Sequence, residues 1–236
     1  MRALLALLAL TLPVSADPVV RVPYAELEGR LVARIDFEDY PRHLSPGTKL
    51  DGIQPAKGAA FGERFEGQTL LASDGYDVVV ADPAGPLRLA AGAPGENLSV
   101  SFIYMLSNQL EGLASPGYPA REASGEGAVA VLFERDQFAL GFRVAAEPQP
   151  RDGAGEPGRM TVAFYRRDGV RIAELEIALD WGRGDYGFLR EGEAADIAGI
   201  TITNRDPAGI AIDDLIFDNN LAIGQAIFPP YENSKG

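Results

Sequence analysis

Hydrophobic and polar residues alternate along several short stretches of this chain. The clearest are the segments 98–104, 138–144 and 174–180, in which apolar side chains occupy every second position. A period of two places successive side chains on opposite faces of a strand, one face buried and the other wet. The further candidate strands are the segments 31–38, 76–81, 128–133, 160–165, 200–203 and 209–217. The pattern therefore predicts an all-β protein.

Glycine, proline, asparagine and aspartate separate these stretches, as expected of turns. Asp168-Gly169 lies between two predicted strands and suits a tight hairpin, because both residues tolerate a positive φ. No segment has the pattern of a long amphipathic helix, and strands do not alternate with helices, which excludes a doubly wound α/β fold. We predict a single antiparallel, jelly-roll-like β-sandwich over residues 30–218.

The first residues resemble a secretory signal. Met1-Arg2 precedes a short apolar run that is too short to span a bilayer, and Ser15-Ala16 offers small residues for cleavage. We predict a signal peptide over 1–16, an arm over 17–29 and a tail over 219–236. This predicts export to the periplasm or beyond, with no insertion into the membrane once the signal is removed.

Composition narrows the possible partners. The formal net charge is −13 and the chain has no cysteine. An acidic surface disfavours nucleic acid and anionic membranes as partners. Without cysteine, disulfides and thiolate metal sites are excluded, so the core must hold the fold, with or without a hard cation such as Ca²⁺.

The end of the chain resembles a known group of domains. The segments 197–204 and 209–217 are similar to the last two strands of jelly-roll domains in secreted bacterial proteins, including PEP-CTERM-type proteins and carbohydrate-binding-module-like sandwiches. An opening strand that ends Asp36-Phe37-Glu38, the segment 60–62 and the hairpin 162–169 fit the same pattern. The tail carries no sorting signal of the PEP-CTERM type. The resemblance implies an exported sandwich whose role varies among its members.

Four acidic residues are candidate metal ligands. Asp36 and Glu38 lie in the first predicted strand, and Asp213 and Asp214 in the last. These two strands often run side by side in a jelly roll, and oxygen ligands from both would suit calcium. The resemblance implies a structural calcium ion with Glu38 and Asp214 as its ligands. The alternative is that these acids are solvated or cap strand ends.

The segment 180–186 is a candidate ligand site. It contains two aromatic residues, Trp181 and Tyr186, and aromatic rings stack on sugars when they are exposed. Asp185 adds a carboxylate that accepts hydrogen bonds from sugar hydroxyl groups. The alternative is that Trp181, the only tryptophan, packs within the protein.

The residues favour binding over catalysis. The chain has one histidine, His43, no Gly-x-Ser-x-Gly motif and no cysteine, so nucleophilic hydrolysis lacks its usual groups. The leading hypothesis is an exported, non-catalytic β-sandwich protein that is a binding module or is associated with the envelope, with a glycan or another extracellular polymer as the expected ligand and a structural calcium ion. Two alternatives remain: a polysaccharide-active enzyme with paired carboxylates in one cleft, and a purely structural envelope or matrix component.

Overall fold

The computed structural model describes residues 19–103 and 106–218; the predicted signal peptide and tail, with Tyr104, lie outside them. Single turns of 3-10 helix occur at Arg121–Ala123 and Glu191–Glu193. The helix and strands are, in chain order, β1 Val19–Val22, α1 Tyr24–Glu28, β2 Ala33–Ile35, β3 Thr48–Leu50, β4 Gln54–Ala56, β5 Ala59–Gly62, β6 Arg64–Phe65, β7 Thr69–Ser73, β8 Tyr76–Val80, β9 Leu89–Ala90, β10 Leu98–Ile103, β11 Ser107–Gly112, β12 Val129–Gln137, β13 Ala139–Ala145, β14 Arg159–Tyr165, β15 Arg171–Ala178, β16 Arg183–Arg190, β17 Ile197–Arg205 and β18 Ala211–Phe217.

Two antiparallel sheets form the sandwich. The large sheet has the order β1-β16-β13-β18-β11-β10-β3, with β2 also paired to β18, and the small sheet has the order β15-β14-β17-β12-β5-β4. From β12 onward the chain passes from one sheet to the other at most connections, as in a jelly roll. The predicted all-β sandwich is confirmed.

The core lies between the sheets and is built from the alternating side chains. Phe164 of the small sheet packs on Phe188 of the large sheet, with ring centroids 5.2 Å apart, and Phe133 packs on Phe217 at the same distance. In β10, Leu98 and Val100 are fully buried in this core. The period-two pattern thus predicted the correct inward face. The prediction that the opposite face is wet is wrong in β10, where Ser99 and Ser101 are also fully buried.

The predicted hairpin at Asp168-Gly169 is confirmed. β14 and β15 pair antiparallel, and Gly169 has φ of 88°. The Gly169 amide donates to the carbonyl of Arg166 at 2.9 Å, which closes the turn. A side chain at this position would be strained by the positive φ.

The predicted arm has regular structure, which the sequence analysis did not anticipate. β1 pairs with β16 at the edge of the large sheet, and α1 follows at once. Tyr24, Leu27 and Leu31 pack with Ala139 and Ile216 on the outer face of that sheet. The sandwich therefore extends N-terminally to Val19. No helix in the described part of the chain has the length and apolar character needed to cross a membrane.

Candidate functional site

The first and last predicted strands lie side by side, as the jelly-roll pattern implied. β2 pairs antiparallel with β18, with Ile35 opposite Leu215. This pairing brings Asp36 towards Asp213, since the Asp36 carboxylate is among the charges that raise the pKa of Asp213. The two predicted strands that carry the acids therefore lie together, and a shared site of the four acids stays a prediction.

Asp214 binds arginines. Its carboxylate accepts a hydrogen bond from Arg34 at 3.0 Å and another from Arg143. Its backbone oxygen accepts a hydrogen bond from the Tyr24 hydroxyl at 3.0 Å. Burial raises the pKa of that tyrosine to about 12. Asp214 has φ of 48°, so the strand is irregular where this contact forms.

Glu38 and Asp213 also have protein partners. Glu38 accepts a hydrogen bond from Arg42 at 2.9 Å and another from the backbone amide of Asn108 at 2.8 Å. Both hydrogen bonds lower the pKa of Glu38. Asp213 is buried and accepts from the Ser107 hydroxyl at 2.7 Å. Burial raises the pKa of Asp213 to about 6.

These contacts reduce the number of oxygen atoms that the predicted calcium site could use. Among residues 19–103 and 106–218, no three acidic or histidine side chains are grouped so that they could hold a metal ion. Asp214 and Glu38 are paired with arginine. Asp213 accepts from Ser107 and Asp36 accepts from the Glu38 backbone amide, so all four acids have protein partners. The four acids do not fit a calcium ion as one set, and a calcium ion at this place stays a prediction.

The predicted aromatic platform at 180–186 is wrong for one of its members. Tyr186 is 1% exposed and packs in the core against Phe142, because it alternates with Gly187 along β16 and faces inward with Phe188. Its hydroxyl oxygen accepts a hydrogen bond from the backbone amide of Asp180 at 2.9 Å. A buried ring offers no face to a sugar.

The other two members of this group are accessible. Trp181 is partly exposed, and Asp185 is exposed. Asp185 lies 3.4 Å from Arg143 and 3.6 Å from Arg183. A ligand role for Trp181 stays a prediction.

A cleft of about 390 Å³ opens at the side of the sandwich between β2–β3 and β4–β5; we call it the edge cleft. Its floor is apolar, with the rings of Phe37 and Phe61 in edge contact at 5.4 Å and the half-buried Tyr40 beside them. Its polar lining consists of Arg34, Asp36, Asp39, Gln54 and Lys57. This cleft combines aromatic surface with hydrogen-bonding groups.

A second cleft, of about 420 Å³, contains buried carboxyl groups; we call it the acidic cleft. Glu63 and Asp77 line it and are 6% and 8% exposed. Burial raises the pKa of Glu63 to about 7 despite its pairing with Arg64, and Asp77 and Glu96 add to the rise. Burial also raises the pKa of Asp77, whose Oδ2 accepts the Ala128 amide at 3.0 Å.

Neither cleft was identified from the sequence. Asp77 gave a usable signal, because it is a lone acid within the apolar strand 76–80. A carboxylate in such a place is buried and therefore perturbed. Glu63 and the residues of the edge cleft come from short strands and loops, and they meet only through the tertiary fold.

Comparisons with known proteins add little about function. No protein-family model matches the chain, and no curated protein matches it. Among solved structures, it is similar to part of the arabinose-bound α-L-arabinofuranosidase MgGH51, with 11% identity, 88% of this chain covered and a TM-score of 0.28. The chain spans about a third of that enzyme, 31% of its length. A likeness this weak carries no argument about activity.

Proposed function

We propose that this protein is an exported, non-catalytic binding module, and that the edge cleft holds a unit of a glycan or a similar hydroxyl-rich polymer. Export rests on the N-terminal sequence pattern, which lies outside the described residues. The observation that carries the binding role is the composition of the edge cleft. It joins an aromatic floor to a polar lining on one concave surface.

Sugar rings have an apolar C–H face and a rim of hydroxyl groups. The half-buried ring of Tyr40 offers an apolar surface to the first. Phe37 and Phe61 line the cleft but are 6% and 2% exposed, so they present almost no ring face. Asp39 and Lys57 are exposed at the cleft and can form hydrogen bonds with the hydroxyl groups.

Ligand sites are commonly concave and apolar with a few polar groups that fix orientation. The edge cleft and the 180–186 segment each have one accessible ring, Tyr40 and Trp181. The edge cleft supports the proposal better because its ring lies in a concave site with several polar groups.

The test is a binding screen with a chain that begins at Asp17, using a broad panel of soluble and insoluble polysaccharides followed by calorimetry on any hit. Tyr40→Ala should weaken retention on the bound glycan by roughly tenfold or more, because it removes stacking surface worth about 1–2 kcal/mol. Asp39→Asn leaves the floor intact and should weaken binding less. Folding of each variant is checked by circular dichroism.

Two matched variants separate the possible sites. Tyr118→Ala removes an exposed tyrosine (37% exposed) outside the edge cleft and should leave binding unchanged. Trp181→Ala tests the sequence-predicted site. Loss of binding in Trp181→Ala alone would move the ligand to the 180–186 segment. No binding to any member of the panel would favour a purely structural component.

The acidic cleft favours a second candidate function, hydrolysis of a polysaccharide by paired carboxyl groups. A general acid needs a raised pKa, and Glu63 has one in a cleft that also holds the Asp77 carboxyl group. The same panel therefore serves as an assay for new reducing ends. Release of reducing ends by the parent chain, abolished in Glu63→Gln and retained in Tyr40→Ala, would establish the enzyme in place of the binding module.

A further inference from the structure

Another cavity lies on the outer face of the small sheet, beside the β7–β8 hairpin; we call it the threonine pocket. It has a volume of about 280 Å³ and is enclosed by β8, the residues that follow β8, and strands β14, β15 and β17. The floor residues alternate with core residues of the same strands, so their side chains point away from the core. They are Thr161, Ala163 and Tyr165 of β14 and Thr201 and Thr203 of β17.

Hydrogen bonds on both sides of β8 hold the wall of the pocket against this floor. At the start of β8, the Tyr76 hydroxyl donates to the carbonyl of Asp206 at 2.8 Å. After β8, the Leu87 amide donates to the carbonyl of Arg167 at 2.8 Å, next to the turn between β14 and β15. The shape of the pocket is therefore fixed by the fold.

A buried chain of hydrogen bonds leads to the threonine pocket. The Phe65 backbone amide donates to Gln68 Oε1 at 2.9 Å, which fixes the orientation of the Gln68 side-chain amide. Gln68 Nε2 therefore donates to the Tyr165 hydroxyl oxygen, at 3.0 Å. The Tyr165 hydroxyl lies 3.4 Å from Thr201 Oγ1. Among the described residues, Tyr165 has no other side-chain acceptor, so its proton is directed to Thr201.

The direction of this chain leaves the Thr201 hydroxyl as a donor. Thr201 is 3% exposed, and in the part of the chain that the structure describes its hydroxyl has only Tyr165 as a side-chain partner. A hydroxyl that already accepts a proton satisfies its own proton only by donating it to a further oxygen or nitrogen atom. Buried donors in native proteins almost always have such an acceptor. The acceptor for Thr201 has to lie in the pocket that it lines.

The rim of the pocket indicates the charge of a ligand. Arg171 is the one cation in the lining, and it lies 3.1 Å from Asp82 and 2.5 Å from Glu174. An anionic ligand would meet two carboxylates and would have to displace one of them from Arg171. An ammonium group has no lone pair with which to accept the Thr201 proton. A neutral ligand with oxygen atoms meets both conditions.

We propose that the threonine pocket binds one neutral sugar unit or a polyol of similar size, as a second ligand site that is independent of the edge cleft. An oxygen atom of the ligand accepts the hydrogen bond from Thr201. Its hydroxyl groups form hydrogen bonds with Thr161 and Thr203. Its C–H groups contact the half-buried side chains of Val78 and Val79. Ligand pockets usually measure about 300–1,000 Å³, so this pocket holds a single unit.

The two ligand sites lie towards opposite ends of the small sheet. β4 and β5 line the edge cleft, whereas β14, β15 and β17 line the threonine pocket. Three strand spacings, roughly 14 Å, separate β5 from β14. The two sites share no lining residue, so each can be altered while the other is kept.

The experiment measures binding of small probes to the chain from Asp17 by calorimetry and ligand-observed NMR. The neutral probes are D-glucose, D-galactose, D-xylose and myo-inositol, and the anionic probes are D-glucuronate and D-galacturonate. At least one neutral probe should bind, and both uronates should bind at least roughly tenfold more weakly than the best neutral probe.

Two variants remove hydroxyl groups from the floor. Thr201→Val keeps the shape of the side chain and should weaken binding of the best neutral probe by roughly tenfold or more. Thr203→Val changes a partly exposed residue of the same floor and should also weaken binding. It remains informative if Thr201→Val does not fold, which circular dichroism reveals.

Thr69→Val and Tyr40→Ala are the controls, since they remove an exposed threonine hydroxyl outside the pocket and the ring of the edge cleft. Both should keep the binding that Thr201→Val weakens. Probe binding lost in Tyr40→Ala and kept in both floor variants would place the sugar unit in the edge cleft and overturn the second site. Binding of no neutral probe, or equal binding of a uronate, would also overturn it. Retention on polysaccharide depends on Tyr40, so either proposal can fail without the other.

Discussion

The carboxylate of Asp214 lies between the guanidinium groups of Arg34 and Arg143, which reach it from β2 and β13. Glu28 of α1 contacts both arginines, at 2.5 Å from Arg34 and 3.6 Å from Arg143. The side chain of Asp214 is only 14% exposed, so water screens these pairs less than it would on an open surface. The group is a linked network that joins four elements, α1, β2, β13 and β18.

Asp214→Ala should therefore destabilise the protein by about 1–3 kcal/mol, because it leaves partly buried arginine charges without their acceptor. The loss should be equal with EDTA and with calcium, since the partners of Asp214 are arginines. Urea unfolding under both conditions measures it. If the loss appears only in the presence of calcium, Asp214 is a metal ligand and the network interpretation fails.

The sequence predicted the contacts and burial of single residues least well. It identified Asp214 as important but not its partners, because Arg143 is 71 positions away and is brought close only by the sheet. Tyr186 could have been assigned correctly. Tyr186 and Phe188 flank Gly187 with the period of a strand, and the same alternation that located the core in β10 places both rings inside.

At the level of elements, the strands with the most regular hydrophobic pattern were predicted best. β10, β13, β14 and β18 fall within or close to the predicted segments, because each carries several apolar residues at alternate positions. β1 and α1 were missed because they are short and because prolines such as Pro23, just before α1, are typical of loops. Their structure comes from docking on the large sheet, which local sequence does not encode.

The docking of α1 gives an element-scale prediction. Leu27 is 1% exposed and contacts the outer face of the large sheet with Tyr24 and Ile216. Leu27→Ala should lower the free energy of unfolding by about 2–5 kcal/mol, since it leaves a cavity under the helix. Glu26→Ala, on the exposed side of the same helix, should change stability by less than about 0.5 kcal/mol. Equal effects in the two variants would show that α1 is not docked in solution.

At the level of the whole molecule, the buried acids make stability depend on pH. Burial raises the pKa values of Glu63, Glu111 and Glu126 to about 7 and that of Asp213 to about 6. These groups bind protons more tightly in the folded than in the unfolded state. The stability that protonation gives is present at low pH and is lost as the pH rises through 6 and 7.

Without divalent cations, the Tm should be highest near pH ~5 and should fall by pH ~8, with a cost on the order of 1–3 kcal/mol for each raised group. Differential scanning calorimetry at constant ionic strength measures this profile. Glu63→Gln should make the decline shallower, because it removes one titrating group. A Tm that rises from pH ~5 to pH ~8 would contradict the assigned burial of these acids.

The strands that end each sheet have a consequence for how copies of the protein behave together. The large sheet ends at β1 and β3, and the small sheet ends at β15 and β4. β3 is three residues long and carries Lys49, β4 contains Pro55, and β15 presents Glu174 and Glu176 to solvent. Short, charged or proline-bearing edges resist the addition of a strand from another molecule. A protein whose regular structure is mostly strand can thus be present at high concentration without polymerising through these edges.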